Sequence, residues 1–478
     1  MNTQTTQPSP SVRDWLILAT VSLVQLVVVL DGTIVSIALP QAQLDLGLTN
    51  SERAWVVTMY ALTFGSLLLL GGLLVNRWGR KASFLIGLVG FGLTSGWGGL
   101  VQTGTELVVA RALQGVFAAL MAPAALAIVT TTFSSGPARN VAFAIFGTCA
   151  GVGAAVGLLL GGLLTEFVSW RWCLLVNVPI VVIVVMVGAF ILPRNEADRS
   201  HPIDILGAAL IAAGSGLLVY GFALAEHGFM NFDVWLFVAL GLVFVGTFVF
   251  RQSRARFPLL PLAIVKDRVR AAAFIVQGVT GAMMIGAMLY VTLHLQITLG
   301  MPAFIAGMAT LPQTITVLFV AGIGSRYLDT FGPKPFLMTG LFVSAASLFY
   351  LSFITTDGSY WVQVLPALIL SGAGLGMIFM PLQNVALRGV DPHHAGVAGA
   401  VATASGQIGG SIGLAVWTAI ATAVTGTSAD FGSLVAGYSA VFNASAILVL
   451  AAGVFVLIAL PWKIDMGNMA DRAITAVH

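Results

Sequence analysis

A single carboxylate, Asp31, stands in LDGTIVSIALP (Leu30 to Pro40), within an apolar run long enough to cross a bilayer. An ionised Asp near mid-membrane costs roughly 2.5 to 3.5 kcal/mol on insertion scales, so an acid retained there is a functional candidate by default. Of the eighteen acidic residues, Asp31 alone lies deep in a predicted span. Its natural counter-charge is Arg111 in RALQG, with Gln114 one turn further on. The first span runs outward and the fourth inward, and at 1.5 Å per residue the two backbones differ in depth by about 6 Å, which an Arg side chain covers. An apolar site favours a neutral carboxyl, whereas a neighbouring guanidinium favours a charged one. Moving the Arg away, or bringing a cation in, would therefore switch protonation. The competing reading is a fixed structural ion pair.

Other groups offer less. His294, with Gln296 two residues on, lies near the outer end of the ninth span and could exchange a proton near neutral pH. Met284, Met288, Met377, Phe379 and Met380 would make an adaptable apolar pocket wall, or ordinary packing. Gly153, Gly157 and Gly161, with Gly162 beside them, recur at spacing four on one face of the fifth span. Such a face admits another helix backbone to backbone, either as a sliding contact between two halves or as tight packing. No Gly-Lys-Ser/Thr phosphate loop is present, so ATP is not expected as the energy source. His393 and His394 adjoin no Cys, and no metal site, cofactor or enzymatic signature is expected.

The elements that position these residues follow from composition. With 58% hydrophobic and 8% charged residues in 478, the chain is a polytopic membrane protein rather than a soluble domain. At about 20 apolar residues per span, fourteen helices fit between residues 15 and 461. The first begins at Trp15 and is too long for a cleaved signal core. Lys and Arg test the count, because they are retained on the cytoplasmic side. With both termini cytoplasmic, eighteen of the twenty-one lie inside, Arg53 and Arg171 outside, and Arg111 within a span. This topology accounts for the basic balance without nucleic acid. Cys149 and Cys173 are read as free packing residues.

The two longest loops, Pro193 to Ile203 and Arg251 to Arg270, bracket the seventh and eighth spans. The expected organisation is a six-helix bundle over 12–193, two linker helices over 194–265, a second six-helix bundle over 266–465 and a cytoplasmic tail over 466–478. GGLLVNRWGRK (Gly71 to Lys81) and GIGSRYLDTFGPK (Gly322 to Lys334) hint at a repeat relating the bundles. Two such halves commonly enclose a substrate site near mid-membrane.

Five stretches, LDGTIVSIALP, GGLLVNRWGRK, RALQG, the fifth-span glycines and WRWCLLVNVP (Trp170 to Pro179), together resemble the fourteen-helix drug:proton antiporter branch of the major facilitator superfamily. The resemblance implies an all-α major facilitator fold of two six-helix bundles plus two extra helices, in a bacterial plasma membrane. It implies coupling through Asp31 and Arg111, a cytoplasmic loop motif at Gly72, Asn76, Arg77, Gly79, Arg80 and Lys81, and an antiporter motif at Gly153, Gly157, Gly161 and Gly162. Two departures stand out: Asn76 where the family usually has Asp, and Leu158 where it has Pro. The expected function is proton-driven export of a lipophilic drug or antibiotic, monomeric and within membrane lipid. With one buried acid, neutral or monocationic substrates are expected. Export or import of a lipid, metabolite or other small solute is the nearest alternative, and a non-transporting scaffold or sensor the next.

Overall fold

The computed structural model describes residues 11–133, 136–193, 204–225, 228–390, 395–426 and 430–462. The expected tail (466–478), most of the first long loop (194–203), His393, His394 and the Asn76 side chain lie outside the described residues.

Fourteen helices are long and apolar enough to span a membrane. They are α1 (Val12–Leu46), α2 (Asn50–Val75), α3 (Arg80–Leu100), α4 (Gly104–Thr132), α5 (Val141–Phe167), α6 (Trp172–Ile191), α7 (Ile205–Leu224) and α8 (Phe232–Arg254). The rest are α9 (Arg268–Thr298), α10 (Ala303–Gly324), α11 (Pro333–Leu351), α12 (Tyr360–Leu387), α13 (Gly396–Thr425) and α14 (Phe431–Ala459). No strand occurs among the described residues. Local chemistry sets several helix starts. Ser11 with Asp14, Thr49 with Glu52 and Thr103 with Glu106 form reciprocal capping boxes that satisfy otherwise orphaned backbone donors. Hydrocarbon makes helices obligatory, since each backbone group must find its partner within the segment.

Short links make successive spans alternate in direction, so α1 begins at what is here called the near face and ends at the far face. The packing pattern repeats. In the first six helices α1 packs on α5, α4 packs on α2 and α3, and α3 packs on α6; α9 to α14 show the same pairings eight helices later. The halves meet where α2 lies on α13 and α5 on α10, while α7 and α8 pair with each other and α7 leans on α2 and α13.

The repeat is sharpest at the near face. Gly79 and Gly332 precede α3 and α11 with φ of 87° and 77°, a region costly for residues with a Cβ. Two residues later, Lys81 Nζ donates to Ala189 O (2.6 Å) and Leu192 O (2.8 Å) at the end of α6. Lys334 Nζ does the same to Leu457 O (2.8 Å) and Leu460 O (2.6 Å) at the end of α14. In both halves a cation sits on the negative end of a helix and satisfies its last carbonyls. Lys81 therefore ties helices within its own half.

Candidate functional site

α1 carries Asp31 into the interior of the first half, where it is fully buried. Its Oδ2 accepts from Arg111 Nη1 at 2.5 Å, and its Oδ1 from Asn177 Nδ2 at 2.8 Å and Gln114 Nε2 at 3.2 Å. Arg111 Nη1 also reaches Gln114 Oε1 at 2.8 Å, while its Nε points to Val56 O at 3.4 Å. Ser95 Oγ closes the ring, accepting from Gln114 Nε2 (2.6 Å) and Asn177 Nδ2 (3.0 Å). The guanidinium lies 4.3 Å from the centre of the Tyr60 ring. Arg111, Gln114, Asn177 and Ser95 are each at most 1% exposed.

Helices α1, α2, α3, α4 and α6 thus converge on one carboxylate. A charge in low dielectric survives only if paired and hydrogen-bonded, and this one has three donors and a full counter-charge. The arrangement can hold Asp31 ionised while Arg111 stays in place. The predicted trio Asp31, Arg111 and Gln114 does meet; Ser95, Asn177 and Tyr60 were not predicted. Asn177 carried a readable signal, an amide inside the apolar run of WRWCLLVNVP.

The glycine face of α5 meets α1, not the opposite half. A Cβ on Gly153 would fall 2.7 Å from Leu26 O, on Gly157 2.0 Å from Thr33 Oγ1 and 2.9 Å from Leu30 O, and on Gly161 2.9 Å from Ile34 Cγ1. This corrects the sliding-contact reading for those three residues, whose missing side chains let α5 lie against α1 beside Asp31. Gly162 faces the other way, where a Cβ would sit 2.6 Å from Phe304 Cα of α10, and a Cβ on Gly307 would meet Leu158 O at 2.5 Å. Leu158 itself packs with Ile37, Ala303 and Met288 at this junction, which gives an apolar side chain a use at the position of the absent proline.

The remaining candidates are dispersed. Gln296 Nε2 donates to Ile37 O at 3.0 Å, joining the far ends of α9 and α1. His294 opens a π-helical turn, His294–Thr298, is 2% exposed and has no hydrogen-bond partner on either ring nitrogen among the described residues. Met288 lies at the junction of the halves, whereas Met377 and Met380 line a small void against α10 and α11, so the predicted wall of Met284, Met288, Met377, Phe379 and Met380 is not continuous. Cys149 and Cys173 are free. No cluster of metal-ligating residues occurs among the described residues.

Comparison with known proteins identifies the group to which this architecture belongs. Residues 21–414 match the model of the Major Facilitator Superfamily. The puromycin resistance protein of Streptomyces alboniger is 40% identical over 87% of this chain and 83% of its own length. The cephamycin export protein CmcT of Amycolatopsis lactamdurans is 34% identical over 89% and 88%. The multidrug efflux pump LfrA of Mycolicibacterium smegmatis is 28% identical over 85% and 80%. An autoinhibited peptide transporter of the POT family superposes with a TM-score of 0.70 at 15% identity, covering 94% of this chain and 96% of its own. The chain therefore belongs to the major facilitator superfamily, a multi-pass transporter rather than an enzyme, among relatives named for antibiotic resistance, antibiotic export and multidrug efflux.

Proposed function

We propose that the protein exports lipophilic drugs or antibiotics in exchange for protons, by alternating access between its two six-helix halves. The observation that carries this reading is the sealed Asp31–Arg111 pair, a costly charge pair at the core of a helical half. The concentration of Lys and Arg at the near face supports reading that face, and with it both termini, as cytoplasmic in a bacterial plasma membrane. Contacts between α5 and α10 at the far face, including the Phe304 amide donating to Glu166 Oε2 at 2.8 Å, support reading this arrangement as closed toward the outside.

In the proposed cycle, a proton reaching Asp31 removes the anion that holds Arg111. The guanidinium then leans on Gln114 and the Val56 carbonyl, and α1 shifts on the glycine face of α5. Because Gly162 of α5 abuts α10, that shift reaches the seam between the halves. Each proton entering supplies about 2.3 kcal/mol per 100 mV of membrane potential and about 1.4 per pH unit. A cationic drug would compete with Arg111 for Asp31, whereas a neutral one would only have to wait for the proton. No cofactor is required beyond the proton gradient. The test is proton-driven transport in oriented vesicles, with proton release on substrate addition to solubilised protein. Asp31→Asn should lose both, and coupling equal to the parent would remove Asp31 from the mechanism.

A further inference from the structure

Two arginines sit at the far face, and their circumstances are the reverse of what charge burial favours. Arg171 is a quarter exposed and pairs with Asp45, with its guanidinium 4.6 Å from the Trp170 ring centre. Arg53 is only 6% exposed and pairs with no carboxylate among the described residues. Its Nη1 donates to Gln43 Oε1 at 2.8 Å, and its Nε has no acceptor among the described residues. The nearest acids along the chain are committed elsewhere. Glu52 caps its own helix through Thr49 N (2.9 Å) and Thr49 Oγ1 (3.0 Å), and Asp45 holds Arg171 and Trp170.

The position is as telling as the missing partner. Arg53 stands at the outer end of α2, while the phenols within its electrostatic reach, Tyr290 of α9 and Tyr438 of α14, belong to the opposite half. The two rings lie 5.6 Å apart, both almost fully buried, and Tyr290 contacts Thr418 of α13 at 3.5 Å. A buried, unpaired guanidinium is costly unless an anion completes it, and its Nε edge is the one that forks a carboxylate. A site this well removed from water suits an apolar acid rather than a hydrated ion.

We propose that Arg53 is an anion-recognition site on the exit side of the transport path, taking the single carboxylate of a lipophilic solute as the halves part. The proposal rests on the export reading above and widens its substrate class from neutral or monocationic compounds to monoanionic ones. Inorganic chloride could satisfy the same guanidinium, and the test separates the two sources.

The test compares radiolabelled benzoate with isosteric, uncharged benzamide, binding to the full-length protein at pH 7 in gluconate buffer. Benzoate should bind at least tenfold more tightly than benzamide, Arg53→Lys, which keeps the charge but loses the Nε edge, should lose much of that preference, and Arg53→Gln should abolish it. Asp31→Asn should leave the preference intact, so failure of proton coupling and failure of this site are read independently. Displacement of benzoate by chloride would assign the resident anion to the salt, and persistence would assign it to the solute; either supports an anion site. Equal binding of the two probes, or a benzoate preference surviving Arg53→Gln, overturns the proposal. Should Arg53→Gln not fold, the wild-type ratio and Arg53→Lys still decide it.

Discussion

The two halves share a frame but not a charge. Gly79 and Lys81 in the first are matched by Gly332 and Lys334 in the second, down to the pair of carbonyls, three residues apart, that each lysine ties. The glycine packing is matched too. A Cβ on Gly157 would meet Leu30 O and Thr33 of α1, and one on Gly410 of α13 would meet Gly281 O and Ile285 of α9. The residue after the touched carbonyl is Asp31 in the first half and Ala282 in the second, buried in both. Repetition has preserved what holds helices together, while the buried carboxylate at this position stands in the first half and an alanine in the second. In the proposed cycle, the first half is the one that senses protons, and the second the wall it moves against.

The strongest way to break this asymmetry is to remove one member of the pair. Arg111→Met leaves a buried carboxylate uncompensated and should destabilise the protein by about 3 to 5 kcal/mol. Adding Asp31→Asn to Arg111→Met should recover most of that loss in thermal denaturation while proton coupling stays absent. If Arg111→Met alone melts like the parent, Asp31 is not ionised in the resting state and the charge asymmetry is illusory.

A smaller effect sharpens the comparison at the glycines. Gly157→Ala drives a methyl onto Thr33 Oγ1, whose χ1 is fixed by bonds to Val29 O (3.2 Å) and Leu30 O (3.0 Å). About 1 to 3 kcal/mol of overpacking is expected. Gly410→Ala meets chiefly the flexible tip of Ile285, with the nearest backbone atom at 3.2 Å, and should cost clearly less. Equal losses in the two variants would mean that the α1–α5 contact beside the acid is no tighter than its repeat.

Smaller again is the difference between the lysines. Lys334 is 2% exposed and its Nζ lies 4.3 Å from the Trp462 ring centre, whereas Lys81 is half-buried. Lys334→Met should lower stability by about 1 to 3 kcal/mol, and Lys81→Met by less, because exposed carbonyls recover water. Thermal midpoints of the two variants measure it.

Much of this was legible in sequence because hydrocarbon makes simple rules strict. Fourteen apolar runs could be counted, and a charge inside one could be singled out as costly. Arg111 followed from being the one basic residue within a predicted span, in RALQG and at a depth its side chain can bridge. Ser95 escaped because a serine in a glycine-rich span carries no distinguishing cost, and Tyr60 because an aromatic ring in a membrane helix has many ordinary uses. The direction of the α5 glycines could not be read, since spacing four defines a face but not which neighbour meets it. Arg53 was placed on the outside by charge counting, yet that count says nothing of its being buried with Gln43 as its hydrogen-bond partner.

The inserted pair α7 and α8 sets the gentlest test, because it is fastened differently from either half. Asp204, just outside the α7 span, caps the helix by accepting from Gly207 N, and it also accepts from Arg251 Nε and Gln252 Nε2, each at 2.8 Å. Burial alone would push its pKa up, but the Gly207 amide, Gln252 and Arg251 together hold it below the usual carboxylate range. A depressed folded pKa contributes stability above the unfolded value of about 3.9, and that contribution is lost as pH falls through the folded value. No carboxylate takes part in the lysine ties of the halves, so acid should loosen α7 before α3 or α11. Hydrogen exchange should show protection in 205–224 falling below about pH 4 while 80–100 and 333–351 hold. Asp204→Asn should remove the pH step and leave 205–224 less protected at neutral pH. Simultaneous loss in all three segments would mean that the insertion is fastened by its contacts with α2 and α13 rather than by Asp204.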